Sequence, residues 1–306
     1  MTKVLLATEK PFAALAVQGI EKICKDAGFE LVKLEKYTSQ DQLTAAASDV
    51  DAIIFRSDII DKTVIDAGKK LKIVVRAGAG YDNVDLAAAT AKGVCVMNTP
   101  GQNSNAVAEL AFGMMLCLNR NGFNGTAGVE LRGKSMGLHA YGNISRVMNH
   151  IAKGMGMDVH AYDPFVDKVI IENDGVKWES SAEDLYKKCQ YVATNLPATS
   201  ETKGSINFKL LSLMPKGATV VNTARKEIIN ENDLLRMFEE RPDFRYLTDV
   251  MPDCKDIIAE KYPNRYYWTL KKMGAQTAEA NINAGLAAAR QIVGFIKNGD
   301  ATFKVN

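Results

Sequence analysis

Short apolar runs alternate with helical patterns along the whole chain. The first run, KVLLAT at 3–8, predicts a strand, and the amphipathic stretch that follows predicts a helix closed by a C-cap residue at Gly28. Later runs are almost continuously apolar, which is typical of strands buried on both faces of a parallel sheet. Four more strands are predicted before the pattern breaks, at 29–34, 51–57, 71–78 and 94–98.

The break is the segment TPGQNSN at 99–105, which indicates a domain hinge. A long apolar helix is predicted after it at 106–121, and an alanine-rich helix closes the chain from 277. Between them a second series of strands is predicted at 135–141, 158–163, 191–196, 218–224 and 244–250. The fold class is therefore α/β, with two doubly wound parallel-sheet (Rossmann-like) domains and a ligand expected in the cleft between them.

Composition narrows the classes of function. The chain has 306 residues, 38 basic and 36 acidic, and its net charge of +2 argues against nucleic acid or an anionic membrane as a partner. Its five cysteines are scattered without a C-x-x-C pair, so neither a disulfide framework nor a structural metal site is expected. No signal peptide or membrane span is apparent. We expect a cytoplasmic protein.

The stretch GLHAYGNISRV at 137–147 resembles a dinucleotide-binding turn with two of its glycines replaced. The positions of the G-x-G-x-x-G fingerprint hold Ala140, Gly142 and Ser145. Gly142 would let the backbone approach a pyrophosphate at the start of the next helix. Asp163 lies about 20 residues further on, where a carboxylate accepts hydrogen bonds from a ribose diol and repels a 2′-phosphate, so NAD is favoured over NADP.

The two replacements carry separate expectations. Ala140 can shape the turn if its φ stays negative. Ser145 either pushes the helix outward or hydrogen-bonds a phosphate, and a Ser145→Gly change that tightens NADH binding would mark the turn as a weakened site. The alternative is an ordinary strand–turn–helix junction, since even an intact fingerprint is a weak signal.

Six collinear segments together resemble the D-isomer-specific 2-hydroxyacid dehydrogenase family: 76–110, 132–142, 195–207, 220–225, 248–250 and 274–280. The chain is most similar to phosphoglycerate-oxidising members in a short form without an appended regulatory domain. The resemblance implies a discontinuous substrate-binding and catalytic lid domain at 1–99 plus 280–306. It implies an NAD-binding Rossmann domain at 100–279 and a homodimer formed through that domain, by the 106–121 helix and the arm after it. A buried position of that helix within one chain is the competing explanation.

The resemblance also assigns binding roles. Arg56 would face a substrate phosphate, and the turn formed by Arg76, Ala77, Gly78 and Ala79 would hold the substrate carboxylate; simple solvation or a salt bridge is the alternative for both arginines. The implied cofactor contacts are Tyr141, Gly142, Asn143, Ile144, Asp163, Pro164, Asn195, Leu196, Pro197, Thr202, Thr223, Ala224, Arg225, Asp249 and Gly274. Among these, Asp249 matches the acid that orients the nicotinamide carboxamide.

The catalytic positions depart from the family pattern. Arg225 matches the catalytic arginine, but Lys272 stands where the family has its proton-transferring histidine, and Cys254 stands where it has the partner glutamate. Lys272 would take the proton if nearby cations and partial burial lowered its pKa. Lys271 is the alternative proton acceptor if the alignment is shifted by one residue. Asp253 lies one position before the place of the family's glutamate.

No histidine is expected to replace the missing one. The chain has three, His139, His150 and His160, and all three are interpreted as structural. The function implied is the NAD-dependent oxidation of 3-phosphoglycerate to 3-phosphohydroxypyruvate, a step toward serine. Two alternatives stay open: reduction of glyoxylate or hydroxypyruvate, and an NAD(H)-binding relative that has lost catalysis.

Overall fold

The structure is a computed structural model that describes residues 1–306. The chain divides into two compact units, one formed by Met1–Asn103 with Ala275–Asn306 and the other by Ser104–Gly274. We call these unit 1 and unit 2. Their limits lie within about five residues of the expected domain limits. No helix is long and apolar enough to cross a membrane.

The strands are β1 Lys3–Thr8, β2 Glu30–Glu35, β3 Ala52–Phe55, β4 Ile73–Arg76, β5 Cys95–Asn98, β6 Ser135–His139, β7 Asp158–Tyr162, β8 Lys177–Trp178, β9 Tyr191–Thr194, β10 Thr219–Asn222, β11 Arg245–Thr248 and β12 Tyr266–Trp268. The helices are α1 Ala14–Ala27, α2 Gln40–Ala47, α3 Lys62–Ala67, α4 Leu86–Ala91, α5 Ser104–Asn119, α6 Asn143–Gly154, α7 Lys168–Asn173, α8 Ala182–Lys188, α9 Phe208–Leu211, α10 Glu231–Glu240, α11 Lys255–Lys261 and α12 Ala278–Asn298. Short 3₁₀ turns follow α5 and β10.

Unit 1 is built on a five-stranded sheet in the order β2-β1-β3-β4-β5, and all its strand pairs are parallel. The strands are apolar because both faces are covered: β3 is buried at every position, and β4 at all but its last residue, Arg76. Strand order reverses between β1 and β3. A ligand in an open α/β sheet binds beyond the carboxyl ends of the strands at such a point, and Arg56 follows β3 directly.

Unit 2 carries a seven-stranded parallel sheet in the order β12-β11-β10-β9-β6-β7-β8. The order reverses between β6 and β9, so the turn after β6 lies at this switch point. The predicted α/β class with two parallel sheets is confirmed. Two edge strands, β8 and β12, were not predicted from the sequence, because they are only two and three residues long and lack buried positions.

The apolar helix α5 lies against the sheet of its own unit. Phe112, Met114 and Met115 are buried in one cluster with Met136 and Leu138 of β6. Burial inside one chain therefore accounts for most of the apolar character of this helix. The expected dimer stays a prediction.

Candidate active site

The turn after β6 leads directly into α6. Gly142 is the N-cap residue of that helix, and a Cβ placed on it would meet no heavy atom within 4 Å. The side of the turn at Gly142 is therefore open, and the first peptide N–H groups of α6, including those of Asn143 and Ile144, lack partners within the helix. This is the arrangement that an anionic phosphate needs for close approach to backbone.

Ala140 does not meet the condition that was set for it, a negative φ. Its φ is +73°, in the left-handed region that favours glycine. The chain reverses sharply between β6 and α6, and Ala140 takes the left-handed conformation in that turn. The alanine Cβ makes this conformation costly by about 1–2 kcal/mol.

Ser145 is fully buried, and its hydroxyl does not face the open side of the turn. Ser145 Oγ donates to the carbonyl oxygen of Ala140 at 2.5 Å and accepts from Asn195 Nδ2 at 2.7 Å. The expected hydrogen bond from Ser145 to a phosphate is therefore wrong, because the hydroxyl proton is already used. Asn195, assigned to the cofactor, supports the turn from the end of β9.

Asp163 ties the end of β7 to the turn. Its Oδ2 accepts from Tyr141 N at 2.7 Å and its Oδ1 accepts from Phe165 N at 2.8 Å. The Tyr141 side chain points into the core, where its hydroxyl donates to Asp174 at 3.0 Å. Tyr141 therefore presents only its backbone to the turn.

Beside this turn lies a cavity of about 560 Å³, which we call the β6–β9 cavity. Its lining includes several residues assigned to the cofactor, namely Asp163, Pro164, Leu196, Pro197 and Thr202, together with Ala140. Thr202 also shapes the cavity, because its hydroxyl donates to the carbonyl oxygen of Pro197. The walls are mostly apolar, which suits the flat face of a nucleobase.

His139 lines the same cavity, a position that was not predicted from the sequence. Its ring is buried, and Nδ1 lies 3.3 Å from the hydroxyl of Tyr186. Burial lowers the pKa of His139 to about 4. His150 is exposed on α6, and His160 is buried between the carboxylates of Glu179 and Asp158.

A second cavity of unit 2, of about 470 Å³, brings together Arg225, Asp249 and Lys272. We call it the β10–β11 cavity. Two further cations, Lys226 and Lys255, line it, and so do the carboxylates of Glu227 and Asp253. Lys226 is paired with Asp253 at 2.6 Å. The lining as a whole carries four cations and three acids, so its net charge is positive and suits an anionic ligand.

Asp249 is held by the segment that carries Lys272. Its Oδ2 accepts from the peptide N–H groups of Met273 at 3.1 Å and Gly274 at 2.7 Å. A Cβ on Gly274 would lie 3.0 Å from Asp249 Oδ2 and 3.2 Å from a methyl of Val107. Gly274 therefore permits this close approach and supports Asp249, whereas the prediction had it as a cofactor contact.

Two buried oxygens in this part of unit 2 have no hydrogen-bond partner, Asp249 Oδ1 and Thr223 Oγ1. A buried carboxylate oxygen without a donor is costly, so it indicates a ligand that donates a hydrogen bond there. The primary amide of a nicotinamide carries such a donor. The residues present therefore fit the expected cofactor.

Arg225 is positioned by its neighbours on the chain. Asn222, fully buried at the end of β10, donates to the carbonyl oxygen of Arg225 at 2.9 Å and accepts from Ala224 N at 3.0 Å. The guanidinium itself is exposed and donates to the carbonyl oxygen of Ala224. The role of Asn222 was not predicted from the sequence, although this residue begins the NTAR segment on which Arg225 was assigned.

Lys272 is exposed, so the partial burial expected of it is absent. Thr269 is buried, whereas residues 270–273 are exposed, and the peptide N–H groups of Met273 and Gly274 connect this segment to Asp249. At the glutamate position, Cys254 is half-buried, and burial with the nearby Glu231 raises the pKa of its thiol to about 12. Glu231 accepts hydrogen bonds from the peptide N–H groups of Asp253 and Cys254.

In unit 1, Arg76 supports the turn that follows it. Its Nε donates to the carbonyl oxygen of Arg56 at 3.0 Å, and its Nη1 donates to that of Gly80 at 2.5 Å. The peptide N–H groups of Ala77 and Gly78 donate to the backbone, which leaves that of the exposed Ala79 for a ligand. The turn therefore offers an anion fewer peptide N–H donors than predicted.

Arg56 is anchored by α12. Its Nη2 donates to Asn281 Oδ1 at 2.5 Å, and its guanidinium lies 5.3 Å from the centre of the Phe12 ring. Burial lowers the pKa of Arg56, although a guanidinium keeps its charge. Asn281, which orients this charge, was not among the expected residues.

The comparisons with known proteins show the family to which the chain belongs. The model of the D-isomer specific 2-hydroxyacid dehydrogenase catalytic domain matches residues 11–306, so the chain belongs to this family. It is 45% identical to the NAD⁺-bound 3-phosphoglycerate dehydrogenase of Entamoeba histolytica, covering 100% of this chain and 98% of that one, with a TM-score of 0.86.

Two curated relatives extend the comparison. The D-3-phosphoglycerate dehydrogenase of Rattus norvegicus is 33% identical over 299 residues, which are 93% of this chain and 56% of the rat protein. The hydroxypyruvate reductase of Thermotoga maritima is 30% identical over 290 residues, 86% of this chain and 90% of that protein. The chain thus spans about half the length of the first curated D-3-phosphoglycerate dehydrogenases that it matches.

Proposed function

We propose that this chain is an NAD-dependent oxidoreductase that oxidises 3-phosphoglycerate to 3-phosphohydroxypyruvate. The observation that carries the proposal is the convergence of Arg225, Asp249 and Lys272 on the β10–β11 cavity. Support comes from the 45% identity to the Entamoeba enzyme and from the unpartnered Asp249 Oδ1. We assign NAD binding to unit 2, and substrate binding and the lid to unit 1.

When bound, NAD would supply the hydride acceptor for the hydrogen on C2 of the substrate. Asp249 Oδ1 would accept a hydrogen bond from the carboxamide and so orient the ring. The Gly142 turn and the start of α6 would hold the pyrophosphate, and Asp163 would accept from the ribose hydroxyls. A 2′-phosphate would meet the Asp163 carboxylate, so NAD is preferred to NADP.

Arg225 holds the substrate carboxylate and polarises the oxygen on C2, because its planar fork can make two parallel hydrogen bonds. The C2 hydroxyl proton passes to the neutral amine of Lys272 as the C2–H bond breaks. In the reverse direction the ammonium of Lys272 protonates the ketone oxygen. Because only the neutral amine is a base, oxidation should speed up as the pH rises.

Arg56, with Arg76 shaping the turn and Ala79 donating its peptide N–H, is proposed to bind the anionic ends of the substrate. A fixed, always charged guanidinium suits a phosphate dianion. This assignment favours a phosphorylated acid over a smaller one.

Two alternatives have observations in their favour. Reduction of hydroxypyruvate or glyoxylate is favoured by the Thermotoga relative, which matches over 90% of its own length. A non-catalytic NAD(H)-binding protein is favoured by the exposure of Lys272 and the lack of a histidine–glutamate pair. Steady-state kcat/KM values for 3-phosphoglycerate, hydroxypyruvate and glyoxylate separate the three: a clear preference for the phosphorylated acid supports the proposal, and a preference for either small acid contradicts it.

A homodimer is part of the proposal. Beyond α5, the arm presents Phe123 with 69% of its surface exposed and Val129 with 46%. A second copy of the chain would bury these apolar side chains if the arm forms the interface. Sedimentation should give twice the chain mass, and Phe123→Asp should shift it toward the monomer.

A further inference from the structure

Ala140 and Ser145, the two residues that replace glycines of the turn, are joined by a hydrogen bond. Ala140 occupies the left-handed region at φ +73°. Without a stabilising contact, an alanine disfavours the left-handed conformation relative to one with negative φ by about fivefold or more in the equilibrium constant. Some other contact must therefore hold Ala140 in place.

The contact is made by Ser145. Its Oγ donates to the Ala140 carbonyl oxygen at 2.5 Å, while Asn195 Nδ2 donates to the same Oγ at 2.7 Å. On the other side of the residue, Ala140 N donates to the carbonyl oxygen of Tyr162 at 2.9 Å. Both peptide groups of Ala140 are thus fixed, one by β7 and the other by a side chain that glycine would lack.

This geometry reaches the residues that meet the cofactor. The peptide that follows Ala140 carries the Tyr141 N–H, which donates to Asp163 Oδ2 at 2.7 Å. Gly142 follows one residue later, with its open side. If Ala140 relaxed to a negative φ, this peptide would rotate, and both the Asp163 carboxylate and the phosphate-facing backbone would lose their positions.

We propose that Ser145 is a positioning residue that clamps Ala140 in the left-handed conformation, with Asn195 anchoring the clamp, so that the two replacements work only as a pair. A glycine at 140 would need no clamp, and a glycine at 145 would provide none. The inference rests on the proposed binding of NAD. It reverses the expected effect of Ser145→Gly: loss of the hydroxyl weakens NADH binding.

The test is a double-mutant cycle on the full chain, with Ala140→Gly, Ser145→Ala and the double variant. NADH dissociation constants come from fluorescence titration. We expect Ser145→Ala to raise the Kd about fivefold in the presence of Ala140 and less than about twofold in the presence of glycine at 140. The Kd of Ala140→Gly alone serves as the reference for the double variant. Equal increases in the two backgrounds, or no increase in either, would overturn the proposal.

Unfolding by urea provides the same cycle without the cofactor. Ser145→Ala should lower the midpoint more in the wild type than in the Ala140→Gly background, and additive changes would overturn the clamp. This measurement separates the two proposals: a wild type that does not bind NADH contradicts the proposed function, whereas the unfolding cycle still decides the clamp.

Ser135→Ala is the matched control. Ser135 begins β6 at the opposite end of the strand, and its Oγ accepts from Gln190 N at 2.9 Å. Its loss removes a serine hydrogen bond from the same unit without touching the turn. We expect Ser135→Ala to leave the NADH Kd unchanged, both with alanine and with glycine at 140. If Ser135→Ala raised the Kd as Ser145→Ala does, the effect of Ser145→Ala would be a general effect on packing and would not support the clamp.

Discussion

Asp249 and Gly274 are joined by a 2.7 Å hydrogen bond from the glycine N–H to Oδ2, while the second oxygen of the same carboxylate is buried without a partner. One oxygen thus fixes the segment that carries Lys272, and the other is left for a ligand. The carboxylate therefore connects the position of the proposed base with that of the proposed nicotinamide.

Asp249→Asn should separate these two roles. The amide oxygen can still accept from Gly274, but the amide nitrogen would point a donor at the carboxamide donor. We expect the NADH Kd to rise about tenfold with little change in thermal stability. Asp253→Asn is the control, because that exposed carboxylate lines the same cavity and pairs with Lys226. An Asp249→Asn protein that binds NADH like the wild type would contradict the assignment.

Lys272→Ala should lower kcat for 3-phosphoglycerate oxidation about 100-fold or more, since it removes the group that accepts the hydroxyl proton. NADH binding should not change. Lys271→Ala is a matched control: it is the preceding residue and is also exposed. The assignment fails if both variants keep the wild-type rate, and it moves to Lys271 if only that variant is slow.

Arg56→Lys should act on substrate choice. The lysine keeps the charge but loses the fork that donates to Asn281. We expect KM for 3-phosphoglycerate to rise about tenfold or more, with KM for hydroxypyruvate nearly constant. Equal changes for both substrates would show that Arg56 does not read the phosphate.

Stability should fall in mild acid because of His139. Burial lowers its pKa from 6.5 to about 4, so the unfolded chain takes up a proton before the folded one does. The free energy of unfolding carries no penalty from this residue above the unfolded pKa, and it decreases as the pH falls from about 6.5 toward 4. The loss reaches at most about 3.5 kcal/mol, because the pKa falls from 6.5 to about 4 and each pKa unit corresponds to roughly 1.4 kcal/mol.

His139→Gln should remove most of this dependence, as urea unfolding at several pH values would show. His150→Gln, on the exposed side of α6, should keep it. The same slope in the His139 variant as in the wild type would assign the acid sensitivity elsewhere.

The pattern of apolar positions was sufficient for most of the framework. Ten of the twelve strands were predicted, because central strands of a parallel sheet are apolar on both faces. Several predictions ran past the strand ends, as at 71–78 against Ile73–Arg76. The extra residues at the carboxyl ends belong to the turns that follow the strands, where apolar residues continue the pattern of the strand.

The candidate site was predictable only where a motif fixes the position of a residue. Asp163 lines the β6–β9 cavity, and Arg225 and Asp249 line the β10–β11 cavity; their roles stay predictions. The left-handed conformation of Ala140 was not predicted, because alanine usually avoids that region and only the turn between β6 and α6 places it there. Asn222, Asn281 and His139 were missed because their roles depend on contacts with backbone or with distant elements.

The measurement that tests the central claim most directly is NADH absorbance after the purified protein is mixed with NAD and 3-phosphoglycerate at alkaline pH. The account predicts steady NADH formation that depends on both compounds and is much slower with NADP in place of NAD. Absence of NADH formation by a protein that binds NADH tightly would contradict it and would favour a non-catalytic NAD(H)-binding protein.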